Sequence, residues 1–156
     1  MASTPAADVP HSSRYPWPQV TALVVGAAFF LVGLVGFTVT GFGNFFLHDH
    51  NVHLLGFSVN PLHNLVHFVI GLAGMAASTG LRATAVFGWA LVIGYGAVFV
   101  FGLFAASIPE IDFMNINWAD NGLHLVSAAI GLLVALGAAK IGTREGWTDP
   151  PRPGTH

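Results

Sequence analysis

Asn60-Pro61-Leu62-His63-Asn64-Leu65-Val66-His67 and Asn117-Trp118-Ala119-Asp120-Asn121-Gly122-Leu123-His124 decide the fold of this chain. Both fit Asn-x-x-[His/Asp]-Asn-x-[Val/Leu]-His, and each opens a long apolar run. The runs extend from Pro61 to about Thr79 and from Trp118 to about Ile141. Asparagine is a favoured helix N-cap and proline suits the first helical turn, so Asn60 and Asn117 read as helix caps. Two further apolar runs, about Val20–Val39 and about Ala83–Ala106, make four in all. A bilayer core takes about 20 apolar residues of helix, the length these runs approach or exceed. The expectation is an all-α protein, a four-transmembrane-helix bundle. The repeated opening suggests two copies of a two-helix unit about an axis along the membrane normal. The first and third runs show no matching pattern.

Composition supports this reading. Of 156 residues, 54% are hydrophobic and only 8% charged, with a net charge of −2. A soluble domain carries about 25% charged residues, and a disordered chain is poor in hydrophobic ones. The net charge gives no basic field for nucleic acid. With no cysteine, disulfides, thiolate catalysis and cysteine metal sites are excluded. No GxSxG, P-loop, GxGxxG or HExxH pattern is present.

The sequence divides into a tail over 1–18, a membrane domain over 19–141 and a second tail over 142–156. Tyr15-Pro16-Trp17-Pro18 supplies an interfacial aromatic anchor. The first run is too long for a signal peptide and lacks a cleavage site after it. Arg14, Arg82, Lys140, Arg144 and Arg152 all fall on one side of a four-span topology. The loops 41–60 and 107–117 hold Asp49, Glu110 and Asp112 and no basic residue. The positive-inside rule then puts both termini in the cytoplasm. The short turn Ser78–Arg82 predicts that the second and third helices are antiparallel neighbours. Gly26, Gly33, Gly36, Gly71, Gly74 and the Ala90/Gly94 pair read as helix contacts.

Residues four apart share a helix face, so His63 and His67 project together, as do Asp120 and His124. Each distal histidine lies seven residues past its opening asparagine, about 10 Å of helix rise, so the two sit at similar depth. Ionisable groups at such depth normally face a bundle interior. His63, His67, Asp120 and His124 therefore form a candidate cluster, with Asn64 and Asn121 as supporting donors. It is either an inter-helix hydrogen-bond network or a metal site for zinc, copper or iron. Haem b between His67 and His124, with Gly71 leaving room for a porphyrin edge, is a further option. Asp120 also suits a capping role three residues after Asn117. A second set, His48, Asp49, His50 and His53, lies in the outer loop, where it either binds metal or forms a polar turn. Glu110, Asp112 and Asn115 form its acidic counterpart.

The order of spans, the H-N-x-x-H opening at His63–His67 with Gly71 and Gly74 behind it, and the A-D-N-x-L-H stretch at Ala119–His124 resemble the bacterial membrane family labelled Domain of Unknown Function 4383. The resemblance covers about Gln19–Ala139. It implies a four-helix bacterial inner-membrane protein, and brings no catalytic residue and no ligand. The function expected is non-enzymatic: an accessory or structural subunit in the lipid bilayer, paired with other membrane subunits or with its own copies. The alternatives are a metal- or haem-binding protein, and a proton-linked transporter or sensor using the same histidines.

Overall fold

The computed structural model describes residues 15–145 and 147. Its helices are α1 (Trp17–Thr40), α2 (Pro61–Ala77), α3 (Leu81–Ala105) and α4 (Trp118–Glu145). A short antiparallel hairpin, β1 (His53–Leu54) and β2 (Phe57–Ser58), precedes α2, and a single 3-10 turn (Pro109–Ile111) precedes α4. The architecture is all-α apart from that hairpin, which the sequence reading left as loop. Its turn, Leu55-Gly56, has positive φ at both residues. That twist matches a two-residue hairpin connection.

Three helices are long and apolar enough to cross a membrane, whereas α2 is shorter, with 17 residues. At 1.5 Å per residue α2 spans about 26 Å, against about 30 Å for a hydrocarbon core.

The helices pair as α1 with α2 and α3 with α4. The backbones meet closely because glycine occupies the contact. A side chain at Gly33 would strike the backbone of Phe68 and Asn64, and one at Gly26 that of Met75 and Gly74. In the second pair, one at Gly88 would strike Gly131 and Ala135. Lipid offers no hydrophobic drive for helices to associate, so close van der Waals contact takes its place. The expected neighbours α2 and α3 do touch, but far less extensively than the helices within each pair. The short turn joins them, but the glycine contacts lie elsewhere. Gly94 corrects the Ala90/Gly94 reading, since a side chain added there would meet nothing within 4 Å.

The two hairpins repeat one packing scheme that the sequences of α1 and α3 conceal. Gly36 of α1 lies against the Asn64 side chain of α2, as Gly102 of α3 lies against that of Asn121 in α4. Phe29 stacks on His67 at 5.2 Å, as Tyr95 packs on His124 at 5.6 Å. Phe29 and Tyr95 stack on each other at 5.2 Å in the seam. At the loop end, Asp49 and Asn115 occupy equivalent places 66 positions apart and bond reciprocally. The Asp49 backbone N–H donates to Asn115 Oδ1 at 3.0 Å, and Asn115 Nδ2 donates to the Asp49 carbonyl at 3.0 Å.

Caps fix where the polar openings begin. Asn60 Oδ1 accepts from the His63 backbone N–H at 2.8 Å, and its Nδ2 donates to the carbonyls of Leu47 and Phe113. Asn117 and Asp120 form a reciprocal capping box: Asp120 N–H donates to Asn117 Oδ1, and Asn117 N–H donates to Asp120 Oδ2. Asp120 Oδ2 also accepts from the Ser58 N–H of β2 at 3.0 Å, tying the β-hairpin to α4. Arg82, Lys140 and Arg144 lie at one end of the bundle, where Leu81 and Ala85 pack on Ala138. Asp49 and Asp112 lie at the other. Arg14 and Arg152, and most of both expected tails, lie outside the described residues.

Two outcomes follow for stability. Gly33→Val or Gly88→Val forces a side chain into backbone and should cost about 1–3 kcal/mol or more, read as a lower unfolding midpoint in detergent. Asp120→Ala removes a cap and strands the buried Ser58 N–H. A loss of about 2 kcal/mol is expected, with faster amide exchange across residues 53–58.

Candidate functional site

The even helices bring three imidazoles together at the seam. His63, His67 and His124 are 1%, 4% and 1% exposed. Each offers a ring nitrogen within 4.8 Å of the others. The rings of His63 and His67 meet edge-on at 4.6 Å, and His63 and His124 lie 5.9 Å apart. The one-turn spacing in α2 and the pairing of the two hairpins produce this convergence. Nδ1 of His67 and Nδ1 of His124 are buried without a hydrogen bond, and the His63 ring makes only loose approaches to the backbone of Met114 and Ser58. Buried polar atoms are almost always paired, so ring nitrogens left without close partners at one point form an unusual group.

The fourth member of the expected cluster lies elsewhere in function. Asp120 is buried, but its carboxylate is engaged by the backbone N–H groups of Ser58 and Asn117. It stands in the register position of His63. Its hydrogen bonds are those of the capping role. Asn64 and Asn121 face the partner helix of their own hairpin instead of the imidazoles. Asn64 Nδ2 donates to Thr40 Oγ1 at 2.9 Å, and Asn121 lies against Gly102. Gly71 faces the Phe30 backbone of α1, which fills the space proposed for a porphyrin edge.

Sequence reasoning missed Tyr95. It is 3% exposed, its hydroxyl has no hydrogen-bond partner, and its ring packs on His124. Only its correspondence with Phe29 marks it, and that requires the pairing of α1 with α2 and of α3 with α4. An apolar cavity of about 190 Å³ adjoins the triad between α2 and α3, lined by Phe87, Tyr95, Met114 and aliphatic side chains as well as the three histidines.

The outer loop forms a second group, differently composed from the expected one. His48 Nδ1 lies 3.2 Å and His50 Nε2 3.4 Å from Asp112 Oδ2. Asp112 is buried, and both its oxygens accept from the Ile116 N–H. Asp49 turns away. Its Oδ1 accepts from the backbone and side-chain N–H groups of Asn51, which hold its carboxyl below the ordinary range. His53 is exposed in β1, opposite Ser58. Glu110 is exposed. The acid that joins His48 and His50 thus comes from the distant loop.

No curated protein and no solved structure matches this chain. A family model does match, over residues 19–137, which takes in all four helices up to the last two turns of α4. The chain therefore belongs to the family described as Domain of unknown function (DUF4383).

Proposed function

We propose that this chain is a multi-pass inner-membrane protein that holds a transition-metal ion between His63, His67 and His124. The observation that carries the reading is the convergence of buried imidazole nitrogens that make no hydrogen bond. Each unpaired buried polar group costs about 1–3 kcal/mol, and a shared cation offsets several at once. Neutral imidazole suits zinc, copper, iron and nickel. The triad includes no carboxylate, so a divalent charge would stay uncompensated among apolar walls. Met114 lines the same cavity, and thioethers favour Cu(I). Copper is therefore the preferred ion. Metal–nitrogen bonds of roughly 2.0–2.1 Å in tetrahedral geometry set nitrogen spacings of roughly 3.3 Å, so the rings must draw together on binding.

Other readings have less support. No hydrogen bond joins His63, His67, Asp120 and His124 to one another, as a structural network would require. Haem b would need a slot that Gly71 and the third imidazole do not leave. The outer group of His48, His50 and Asp112 is a second candidate metal site, more accessible and closed by an ion pair when its histidines are protonated. In the membrane we read α2 as a fourth crossing. Both termini are then cytoplasmic, and the loops with Asp49, Glu110 and Asp112 face outward.

Protein purified in detergent should retain about one copper or zinc ion, or take one up on addition. Wild type should melt later, by a shift equivalent to about 2.7 kcal/mol when free metal is 100 times Kd. Joint substitution His67→Ala and His124→Ala should abolish uptake, while His48→Ala with His50→Ala should leave the buried ion in place. His124→Leu separates ligand from structural roles. It should leave metal-free stability equal or higher and remove the metal-induced shift, whereas a structural network predicts lower stability. A wild type that binds no metal overturns the reading. For topology, a fluorescent protein fused to the C-terminus should fluoresce, and a phosphatase fused there should stay inactive.

A further inference from the structure

The seam between the two hairpins holds two cavities, filled to different extents. On the side of α1 and α4 the β-hairpin covers the seam. Leu54, Leu55, Phe57 and Val59 line it with Phe29, and about 60 Å³ remains. On the side of α2 and α3 no such segment intervenes, and the cavity is about 190 Å³. Its lining includes the buried histidine triad and Tyr95 and, at the protein surface, the exposed Ala90 and Gly94. Gly94 lies near the middle of α3, so the mouth opens at mid-membrane depth, toward acyl chains instead of water.

This cavity has the size and polarity of a ligand site. An apolar cavity of about 150 Å³ accepts benzene, so the space suits one six-membered ring. Among the residues that line it, Tyr95, His67 and His124 carry a hydroxyl and two ring nitrogens (Nδ1) that are buried and unpartnered. Together they supply one hydroxyl and two imidazoles in a wall that is otherwise apolar. A purely apolar occupant would leave them orphaned, and a strongly charged one would not cross the aliphatic mouth.

We propose that this cleft binds, sideways from the bilayer, a lipid-soluble molecule with one oxygen-bearing six-membered ring, of the phenol or quinone class. The ring fills the cavity, its oxygen meets Tyr95 and the imidazoles, and its apolar chain leaves past Ala90 and Gly94. The proposal shares the triad with the metal reading but does not need the ion, because Tyr95 offers a partner either way.

The test uses the full chain in lipid nanodiscs, metal-loaded and chelator-treated, with 4-hexylphenol, hexyl-benzoquinone and hexylbenzene as probes. At least one oxygen-bearing probe should bind saturably, about tenfold tighter than hexylbenzene. Tyr95→Phe should erase most of that preference without lowering metal content. Gly94→Leu, whose Cβ would meet nothing within 4 Å, should fill the mouth and abolish saturable binding while metal content and melting stay at wild-type values. Ala90→Leu on the same wall serves if Gly94→Leu does not fold. The phenol-to-quinone ratio then names the ring chemistry. Equal binding of hexylbenzene, or undiminished binding in the leucine variant, overturns the proposal. Ring binding that persists in chain unable to take metal supports the cleft and counts against the metal reading alone.

Discussion

The contact between glycine on one helix and backbone on its partner sets everything else in this molecule. In a bilayer, helices gain nothing from hiding leucine from lipid, so association depends on how closely the backbones approach. Gly26 and Gly33 seat α1 on α2, and Gly88 and Gly131 seat α3 on α4. Each pair is thereby closed along its length. The aromatic and polar side chains that remain are directed to the seam between the pairs, where Phe29, Tyr95 and three histidines meet. The site is a by-product of where glycine is not.

The repeat explains both the triad and its lopsidedness. A symmetric pair of openings would place two histidines from each hairpin at the seam. Here the second opening carries Asp120 in the position of His63, and the β-hairpin of the first unit uses that carboxylate through Ser58. The first unit thus gives two imidazoles, the second gives one, and the displaced acid anchors a segment that closes one side of the seam. Asp120 in the place of a histidine accounts for the odd ligand number, and the β-hairpin it anchors lines the smaller of the two cavities.

Much of this was legible in the residues. The helices follow from apolar runs bounded by Asn60, Asn117 and the turn at Ser78–Arg82, and the start of each polar opening matches the structure to the residue. The convergence of His63, His67 and His124 follows from helical spacing and matched depth. Helix pairing did not follow, because a short turn argues for adjacency but cannot reveal where backbones touch. Asp120 was ambiguous because one carboxylate three residues past a cap suits both a metal and an N-terminus. The partnership of Asp112 with His48 and His50 spans two loops, and no local pattern encodes it. The Leu55-Gly56 turn was hidden because leucine rarely takes positive φ.

The brevity of α2 has a consequence for the lipid around the protein. Its 17 residues stand beside helices of 24, 25 and 28, so the apolar wall differs in height around the circumference. Exposed Phe42, Phe45 and Phe46, just beyond α1, supply part of the missing apolar surface from the loop. Hydrophobic mismatch costs fractions of a kcal/mol per ångström, which is enough to deform or sort bilayers. With α2 as the fourth crossing proposed above, this difference in height favours a tilt of the bundle or shorter acyl chains on that flank, to the extent that the loop phenylalanines do not make it up.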